Sequence, residues 1–266
     1  MVTCSYFGRL GNNMFQYAMA RLVAMKYGMK MGTMWNNNGF IEANECYEGQ
    51  TVGGEPEEVK DLVFDNVPVN PMDLPLAGKR VHLNGYFQDS RFYNAYREQI
   101  KALWQLQKVG SNTEDIVIHL RLTDYWWIRN KTVIHPKWYF DILNKEKFKK
   151  LYIVVEPHCT NTKYLSYFSQ WRPVVVSKSP REDFNFLRSF SRIVCSNSTF
   201  AWWAAFLSEA TKVWTFGRWM GQDRTSCLGL ADMVNAVKID GEFFRDKRLE
   251  VIDWTDYWKQ PEGYFR

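Results

Sequence analysis

The sequence lacks the features that identify a secreted or membrane-spanning protein. Its five cysteines are odd in number, lie far apart and include no C-x-x-C pair, which favours a reduced compartment over a disulfide framework. No apolar run is long enough to cross a bilayer, and no basic segment followed by an apolar one opens the chain. We therefore expect a cytoplasmic protein without a membrane span, and peripheral association with a membrane surface stays open.

Several motifs that identify a particular chemistry are also missing. The sequence contains no G-x-x-x-x-G-K-[ST] phosphate loop, no G-x-S-x-G nucleophile elbow and no H-E-x-x-H zinc helix. Its four histidines are dispersed, and it has no Asp-x-Asp pair of the kind that often holds a divalent ion for nucleotide sugars. We expect neither a metal nor a cofactor. Negative charge on a leaving group must then be stabilised by arginine, helix dipoles and backbone N–H groups.

The composition that remains is typical of a globular chain. Its 266 residues suffice for one large domain or two of ordinary size, with 46% hydrophobic and 24% charged residues. Aromatic residues make up 17%, which suits a core as well as a sugar-binding surface. The net charge of +5 favours an anionic ligand, but the basic residues are scattered, so we expect no nucleic-acid partner. Nothing in the sequence indicates the oligomeric state.

The first half opens with the elements of a parallel α/β layer. Residues 2–7 have the pattern of a strand, residues 8–13 that of a turn, and residues 14–27 that of a helix that Gly28 ends. The turn follows the carboxyl end of a strand, where sheets of this kind bind ligands. Its G-x-x-G spacing is not a full dinucleotide-binding motif.

A boundary is predicted near the middle of the chain. Residues 79–87 alternate as a strand does, residues 91–106 have helical periodicity, and the polar segment 108–114 follows them. We therefore predict two domains, residues 1–108 and residues 109–266, with the last helix of the second packing back on the first.

The second half contains a strand whose carboxyl end becomes polar on one face. Residues 115–121 read D-I-V-I-H-L-R, which places His119 and Arg121 on the same face of that strand. A permanent cation beside an imidazole suits a diphosphate and a nucleoside. The alternative interpretation is an ion pair between Arg121 and Asp124 at the strand end.

A second candidate site lies in residues 193–207, I-V-C-S-N-S-T-F-A-W-W-A-A-F-L. An apolar strand is followed by a helix from Thr199, and Ser196, Asn197 and Ser198 lie between them. Ser and Asn are favoured at helix N-caps, so we expect these side chains to satisfy the first backbone N–H groups and leave others for an anion. The alternative is a capped core helix that binds nothing.

Asp183 is placed in the first turn of another helix. The segment Ser179-Pro180-Arg181-Glu182 has the spacing of a capping box, so the helix starts there and runs to about Phe190. Asp183 is then either a favourable partner for the helix dipole or an acceptor for the amine and ring N–H of guanine. Apolar strands at residues 151–155, 174–176 and 212–216 alternate with helices, which predicts a doubly wound, mostly parallel sheet.

The order of these motifs resembles that of the alpha-1,2-fucosyltransferases of glycosyltransferase family 11. The resemblance covers residues 8–219, about four fifths of the chain. It rests on G-R-L-G-N-N-M-F-Q-Y-A at residues 8–18, L-N-G-Y-F-Q at 83–88, H-L-R-L-T-D-Y at 119–125, and E-D-F-N-F-L at 182–187 with S-N-S-T-F-A-W-W-A-A-F-L at 196–207.

The resemblance implies two facing Rossmann-like halves, the B-type glycosyltransferase architecture, and inverting transfer of fucose from GDP-fucose to a glycan hydroxyl. It implies an alpha-1,2 linkage to galactose and no metal. His119 would contact the nucleoside, Arg121 the β-phosphate as the catalytic residue, and Asp183 the guanine. Other donor-binding residues would come from both halves: Ser196, Asn197, Ser198, Thr199 and Phe200 in the second, and Arg9, Gly11 and Asn12 in the first.

The sequence departs from the family pattern at the ends of the strands predicted at residues 115–121 and 151–155. Leu122 and Thr123 stand where the family has Arg-Gly, and V-V-E-P-H at residues 154–158 stands where it has F-S-D-D. Asp124 and Glu156 are the candidates for a general base. Two alternative functions stay open: a glycosyltransferase of the same scaffold with another nucleotide sugar, and a catalytically silent nucleotide-sugar or glycan-binding protein.

Overall fold

The chain is an α/β protein with mostly parallel sheets, which confirms the predicted fold class at that level. The computed structural model describes residues 1–32, 54–60, 63–64, 67–104, 106, 108–123, 125, 133–160, 163–216 and 236–239. These residues form two compact units, which divide between Gln107 and Lys108. The predicted boundary, after residue 108, lies next to that division. The helix expected to end the chain lies outside the described residues.

The first unit is built on a three-stranded parallel sheet with the order β1-β5-β2. A short antiparallel pair, β3 and β4, accompanies it. The elements of this unit in chain order are β1 (Val2–Cys4), α1 (Leu10–Lys26), β2 (Glu57–Lys60), β3 (Val63–Phe64), β4 (Val67–Pro68), β5 (Val81–Asn84) and α2 (Arg97–Leu103).

Helix α1 begins earlier than its sequence pattern predicts. Residues 10–13 were expected to be part of a turn, but the backbone N–H groups of Asn12 and Asn13 already bond the carbonyl of Arg9. Local side-chain hydrogen bonds offset the low helix propensity of asparagine here. Nδ2 of Asn13 donates to Phe7 O at 3.1 Å and to Gln16 Oε1 at 3.0 Å. The predicted C-terminal glycine is confirmed, since Gly28 has φ +60° directly after the helix.

The helix predicted for residues 91–106 is wrong in its first part. Two short 3-10 helices, Ser90–Phe92 and Asn94–Tyr96, come before α2. Asp89 caps the first of them by accepting from Arg91 N at 2.9 Å, and Tyr93 Oη donates to Phe87 O at 2.7 Å. These contacts hold the backbone in tight turns before a regular helix can begin.

The second unit is built on a six-stranded sheet in which every pairing is parallel. Its order is β8-β7-β6-β9-β10-β11, so the strands of this unit, numbered along the chain, lie as 3-2-1-4-5-6. Its elements are β6 (Ile116–His119), α3 (Pro136–Leu143), β7 (Leu151–Val154), α4 (Lys163–Ser166), β8 (Val174–Val176), α5 (Pro180–Arg188), β9 (Arg192–Cys195), α6 (Thr199–Phe206), β10 (Lys212–Phe216) and β11 (Ala236–Ile239).

The core of the second unit lies against one face of this sheet. Ile116, Ile118 and Leu120 belong to a buried cluster that also contains Trp138 of α3 and Ile153 of β7. The alternation of side chains along β6 directs His119 to the opposite face. Within the described part of the chain, no helix is both long and apolar enough to cross a membrane.

Candidate functional site

The candidate site lies where the strand order of the six-stranded sheet reverses. From β6 the chain proceeds outward through β7 and β8, and it then returns to the other side of β6 to form β9. Loops that leave two such neighbouring strands run in opposite directions and open a crevice at their carboxyl ends, where doubly wound sheets bind ligands. The two sequence motifs singled out above follow β6 and β9.

The loops after β6 and β9 are tied to each other. His119, the last residue of β6, lies opposite Cys195 in register, and its carbonyl accepts from Ser196 N at 3.2 Å. Its Nδ1 lies 2.9 Å from Ser196 Oγ. The structure thus brings His119 and Ser196 into direct contact, although 77 positions separate them along the chain.

His119 is a neutral imidazole at physiological pH. It is buried, and this burial lowers its pKa to about 4. The carboxylate of Glu156 opposes that shift, whereas the guanidinium of Arg121 adds to it. A neutral ring offers one donor nitrogen and one acceptor nitrogen, so it can bind a polar ligand atom without bringing a positive charge.

Arg121 lies two residues beyond the end of β6 and is held by groups from two other elements. Its Nη1 is 2.5 Å from Oε1 of Glu156, which follows β7. Its Cζ lies 5.4 Å from the ring centroid of Tyr125, whose hydroxyl donates to Asn197 O at 2.8 Å. The observed carboxylate partner is therefore Glu156, while Asp124, the partner considered from the sequence, lies outside the described residues.

The first turn of α6 is not capped as expected. Ser198 occupies the N-cap position with extended backbone (φ −119°, ψ 124°), but its side chain makes no capping hydrogen bond. The hydroxyl of Ser196 is used by His119, and the N–H of Ser198 donates to Ser196 O at 2.7 Å. The prediction that these side chains cap the helix is wrong. The positive end of an eight-residue helix therefore lies at the crevice without the usual side-chain cap.

Aromatic rings connect His119 to the start of α5. The ring of Phe200, in the first turn of α6, lies 5.7 Å from that of His119 and 5.6 Å from that of Phe184. Phe184 is adjacent to Asp183 in α5, whose predicted capping box between Ser179 and Glu182 is confirmed. The rings of His119, Phe200 and Phe184 therefore form a row of contacts that ends at the chain neighbour of Asp183.

Asp183 is a buried carboxylate whose two oxygens share one backbone donor, the N–H of Lys178. Lys178 N lies 3.1 Å from Oδ1 and 3.2 Å from Oδ2. Burial raises the pKa of this carboxyl to about 6, and the bond from Lys178 opposes that rise. Asp183 can therefore change charge just below neutral pH, which a surface aspartate does not do.

In the first unit, the three predicted residues lie at the start of α1. Arg9 is its N-cap residue, Gly11 is buried, and Asn12 Oδ1 accepts from Gln88 Nε2 at 2.8 Å. Gln88 closes the L-N-G-Y-F-Q motif after β5. The loops after β1 and β5 are thus joined at the carboxyl ends of neighbouring parallel strands.

Gln16 is a residue that the sequence pattern did not reveal. It is fully buried in α1, where its Oε1 accepts from Phe7 N at 3.2 Å and its Nε2 donates to Gly85 O at 3.2 Å. The side chain of Gln16 therefore bonds the loop after β1 and the loop after β5 at once. Two signals in the sequence could have found it: it is a polar residue inside an otherwise apolar helical stretch, and it lies within the G-R-L-G-N-N-M-F-Q-Y-A motif at residues 8–18.

Among the residues that the structure describes, no three histidine, cysteine, aspartate or glutamate side chains lie together as ligands of a metal ion would. No protein-family model matches the chain, and no curated protein matches it. A functional conclusion must therefore be drawn from the chemistry of the site together with the motif resemblance described above.

Proposed function

We propose that the protein is an inverting, metal-independent glycosyltransferase that transfers fucose from GDP-fucose to a glycan hydroxyl, by an alpha-1,2 linkage to galactose. The observation that carries this proposal is the convergence of Arg121 and the start of α6 on one strand-order reversal. In this proposal the two units are the facing halves of a B-type glycosyltransferase. Residues 109–266 bind the nucleotide-sugar donor, and residues 1–108 form the half that binds the acceptor.

The diphosphate of the donor would be bound by a cation and a helix terminus together. A guanidinium carries five N–H donors, so Arg121 can pair with Glu156 and still bind a phosphate oxygen. The start of α6, at Thr199 and Phe200, adds the positive end of the helix dipole. Both groups act on the negative charge without a metal ion.

The nucleoside would be recognised at the other end of the same contacts. The amine and ring N–H of guanine are neighbouring donors, and an ionised Asp183 can accept from both. In this proposal the rings of Phe200 and His119 would contact the nucleoside between Asp183 and the phosphate groups, and they offer an apolar face and a neutral polar nitrogen. Uracil and cytosine lack the guanine donor pair, which gives the site a basis for discrimination.

The reaction that follows is displacement of GDP by the acceptor hydroxyl from the opposite face of the sugar. As the bond to the β-phosphate breaks, negative charge grows on the diphosphate and positive charge on the sugar. Arg121 and the start of α6 stabilise the first of these charges, and this stabilisation is strongest in the transition state. Arg9, Gly11 and Asn12 are proposed to contact the sugar end of the donor from the first unit.

One observation favours a second candidate, a transferase for another nucleotide sugar. Leu122 is buried in the core cluster of the second unit, so the position after Arg121 contributes an apolar contact and no second cation. A site with one arginine fewer than the resembled family pattern has less positive charge near the diphosphate. Its donor could therefore carry a different nucleotide.

The decisive experiment is incubation of the protein with a panel of nucleotide sugars, followed by detection of the released nucleotide. Slow release of GDP from GDP-fucose alone is the expected result. Release of nucleotide from a different nucleotide sugar would identify that sugar, and not fucose, as the group transferred. Binding without release from any donor, with or without galactose-ended acceptors, would identify a silent nucleotide-sugar binder instead.

A further inference from the structure

The loop that carries Arg121 is held by a single carboxylate. Oε1 of Glu156 accepts from Arg121 Nη1 at 2.5 Å and from Thr123 Oγ1 at 2.9 Å. Oε2 of the same side chain accepts from Leu122 N at 3.1 Å. Three consecutive residues after β6 are thus bound by one side chain that follows the neighbouring strand β7.

This arrangement does not suit the general-base role considered for Glu156. Three of its about four lone-pair sites already accept hydrogen bonds, and its side chain is only 16% exposed. A base must reach the acceptor hydroxyl with a free lone pair. The contacts of Glu156 are directed instead at the loop that presents Arg121.

We propose that Glu156 is a positioning residue that holds the guanidinium of Arg121 at the carboxyl end of β6, in the orientation that the leaving diphosphate requires. This inference rests on the proposed function. A long arginine side chain loses substantial conformational entropy when it is fixed, and a partner that fixes it beforehand removes that loss from the transition state. Glu156 fixes it from the side chain and from the backbone at once.

The same contacts account for one departure from the family pattern. Thr123 stands in place of glycine, and its hydroxyl supplies one of the bonds to Glu156. The neighbouring Leu122 places its side chain in the core and its N–H on the carboxylate. The two positions where the family pattern has Arg-Gly thus both bond Glu156 in this chain.

A double-mutant cycle between Glu156 and Arg121 tests this inference. Arg121→Ala should lower kcat/KM for GDP-fucose about 100-fold or more, as the loss of a transition-state donor does. Glu156→Ala should lower it at least about tenfold, and the double variant should fall within about threefold of Arg121→Ala alone, because coupled residues are not additive. Glu156→Gln should be intermediate, since an amide keeps one acceptor oxygen and carries no charge.

Glu146→Gln is the matched control. Glu146 is 17% exposed and pairs with Lys212 at 2.6 Å. Lys212 is the first residue of β10, so this pair lies at the amino end of a strand, away from the carboxyl ends where Arg121 lies. Removal of this second pair should change kcat/KM by less than about twofold, because it lies away from the carboxyl ends of the strands. A similar loss in both glutamine variants would reduce the Glu156 effect to general stability and overturn the inference.

Failure of the inference can be distinguished from failure of the proposed function. If the wild-type protein transfers fucose but the losses from Glu156→Ala and Arg121→Ala multiply, the function stands and the positioning role falls. If the wild-type protein transfers no fucose, the proposed function is wrong. The positioning role of Glu156 is then tested by the NMR signal of the Arg121 Nε–H in the ligand-free protein. A signal that shifts or broadens in Glu156→Gln but not in Glu146→Gln supports positioning, and an unchanged signal overturns it.

Discussion

At the residue scale, burial acts on His119 and Asp183 in opposite senses. It lowers the pKa of the imidazole to about 4 and raises that of the carboxyl to about 6. Both shifts keep the groups in their neutral forms over a wider pH range than in water. The two residues consequently make opposite contributions to the pH dependence of folding.

His119 should make the folded protein sensitive to acid. Its folded pKa of about 4 lies below the ordinary histidine value of 6.5, so the unfolded chain binds a proton first as the pH falls. The contribution of His119 to the free energy of unfolding is fully present above pH 6.5 and is lost toward pH 4, by at most about 1.4 kcal/mol per pH unit. Urea unfolding of His119→Gln at several pH values should show this slope removed, and an unchanged slope would contradict the burial of the ring.

Asp183 should make GDP binding depend on pH. Its carboxylate must be ionised to accept two guanine donors, and its pKa is about 6. GDP affinity should therefore decline as the pH falls through 6, by at most about tenfold per pH unit. Calorimetric titration of the wild type and of Asp183→Asn separates this effect from titration of the phosphate, because the variant retains only the latter. Parallel pH profiles for the two proteins would exclude Asp183 from guanine binding.

Asp183 also contributes to folding with the opposite sign to His119. Because the folded pKa of Asp183 is raised, the folded state binds a proton more readily than the unfolded chain between the ordinary aspartate pKa of 3.8 and about 6. That contribution is present at low pH and is lost as the pH rises through 6. Asp183→Asn should therefore steepen the acid sensitivity that His119 produces.

At the element scale, the turn between β1 and α1 depends on glycine. Gly8 has φ +81°, and a Cβ atom there would lie 2.3 Å from Nδ2 of Asn12. Gly28 also has positive φ, at +60°, but a Cβ would meet nothing within 4 Å, and Gly110 combines ordinary φ with open space. These three glycines separate backbone strain from steric clash.

Alanine at these three positions should destabilise the protein in a graded order. We expect a loss of about 2 to 3 kcal/mol for Gly8→Ala, about 1 kcal/mol for Gly28→Ala and close to zero for Gly110→Ala. The midpoint of urea unfolding measures all three. Equal losses at Gly8 and Gly28 would mean that Asn12 moves aside without cost.

At the scale of the whole molecule, nucleotide binding should appear as thermal stabilisation. A ligand that binds only the folded state raises the melting temperature by mass action, with about 2.7 kcal/mol gained at a concentration 100 times Kd. GDP should raise it more than UDP or CMP at equal concentration, because only guanine offers paired donors to Asp183. A larger shift with UDP or CMP would favour the transferase with a different donor, and equal shifts for all three would contradict guanine recognition by Asp183.

Local signals in the chain predicted much of each unit. The capping box at Ser179, the glycine after α1 and the strand β8 (Val174–Val176) depend on residues within a few positions of one another, and the structure confirms them. Particular hydrogen bonds, which the residue pattern does not show, decided the rest. Helix α1 begins early because Asn13 bonds Phe7 and Gln16, and Ser198 does not cap α6, although its residue type and place favour it.

The order of residues along the chain was enough to indicate α/β architecture and to single out His119, Arg121, Asp183 and the start of α6, because hydrophobic periodicity and helix-start chemistry are local. It could not reveal that β6 and β9 are neighbours, nor that Glu156 pairs with Arg121. Those facts depend on strand order and on groups brought together from distant positions, and only the folded sheet establishes them.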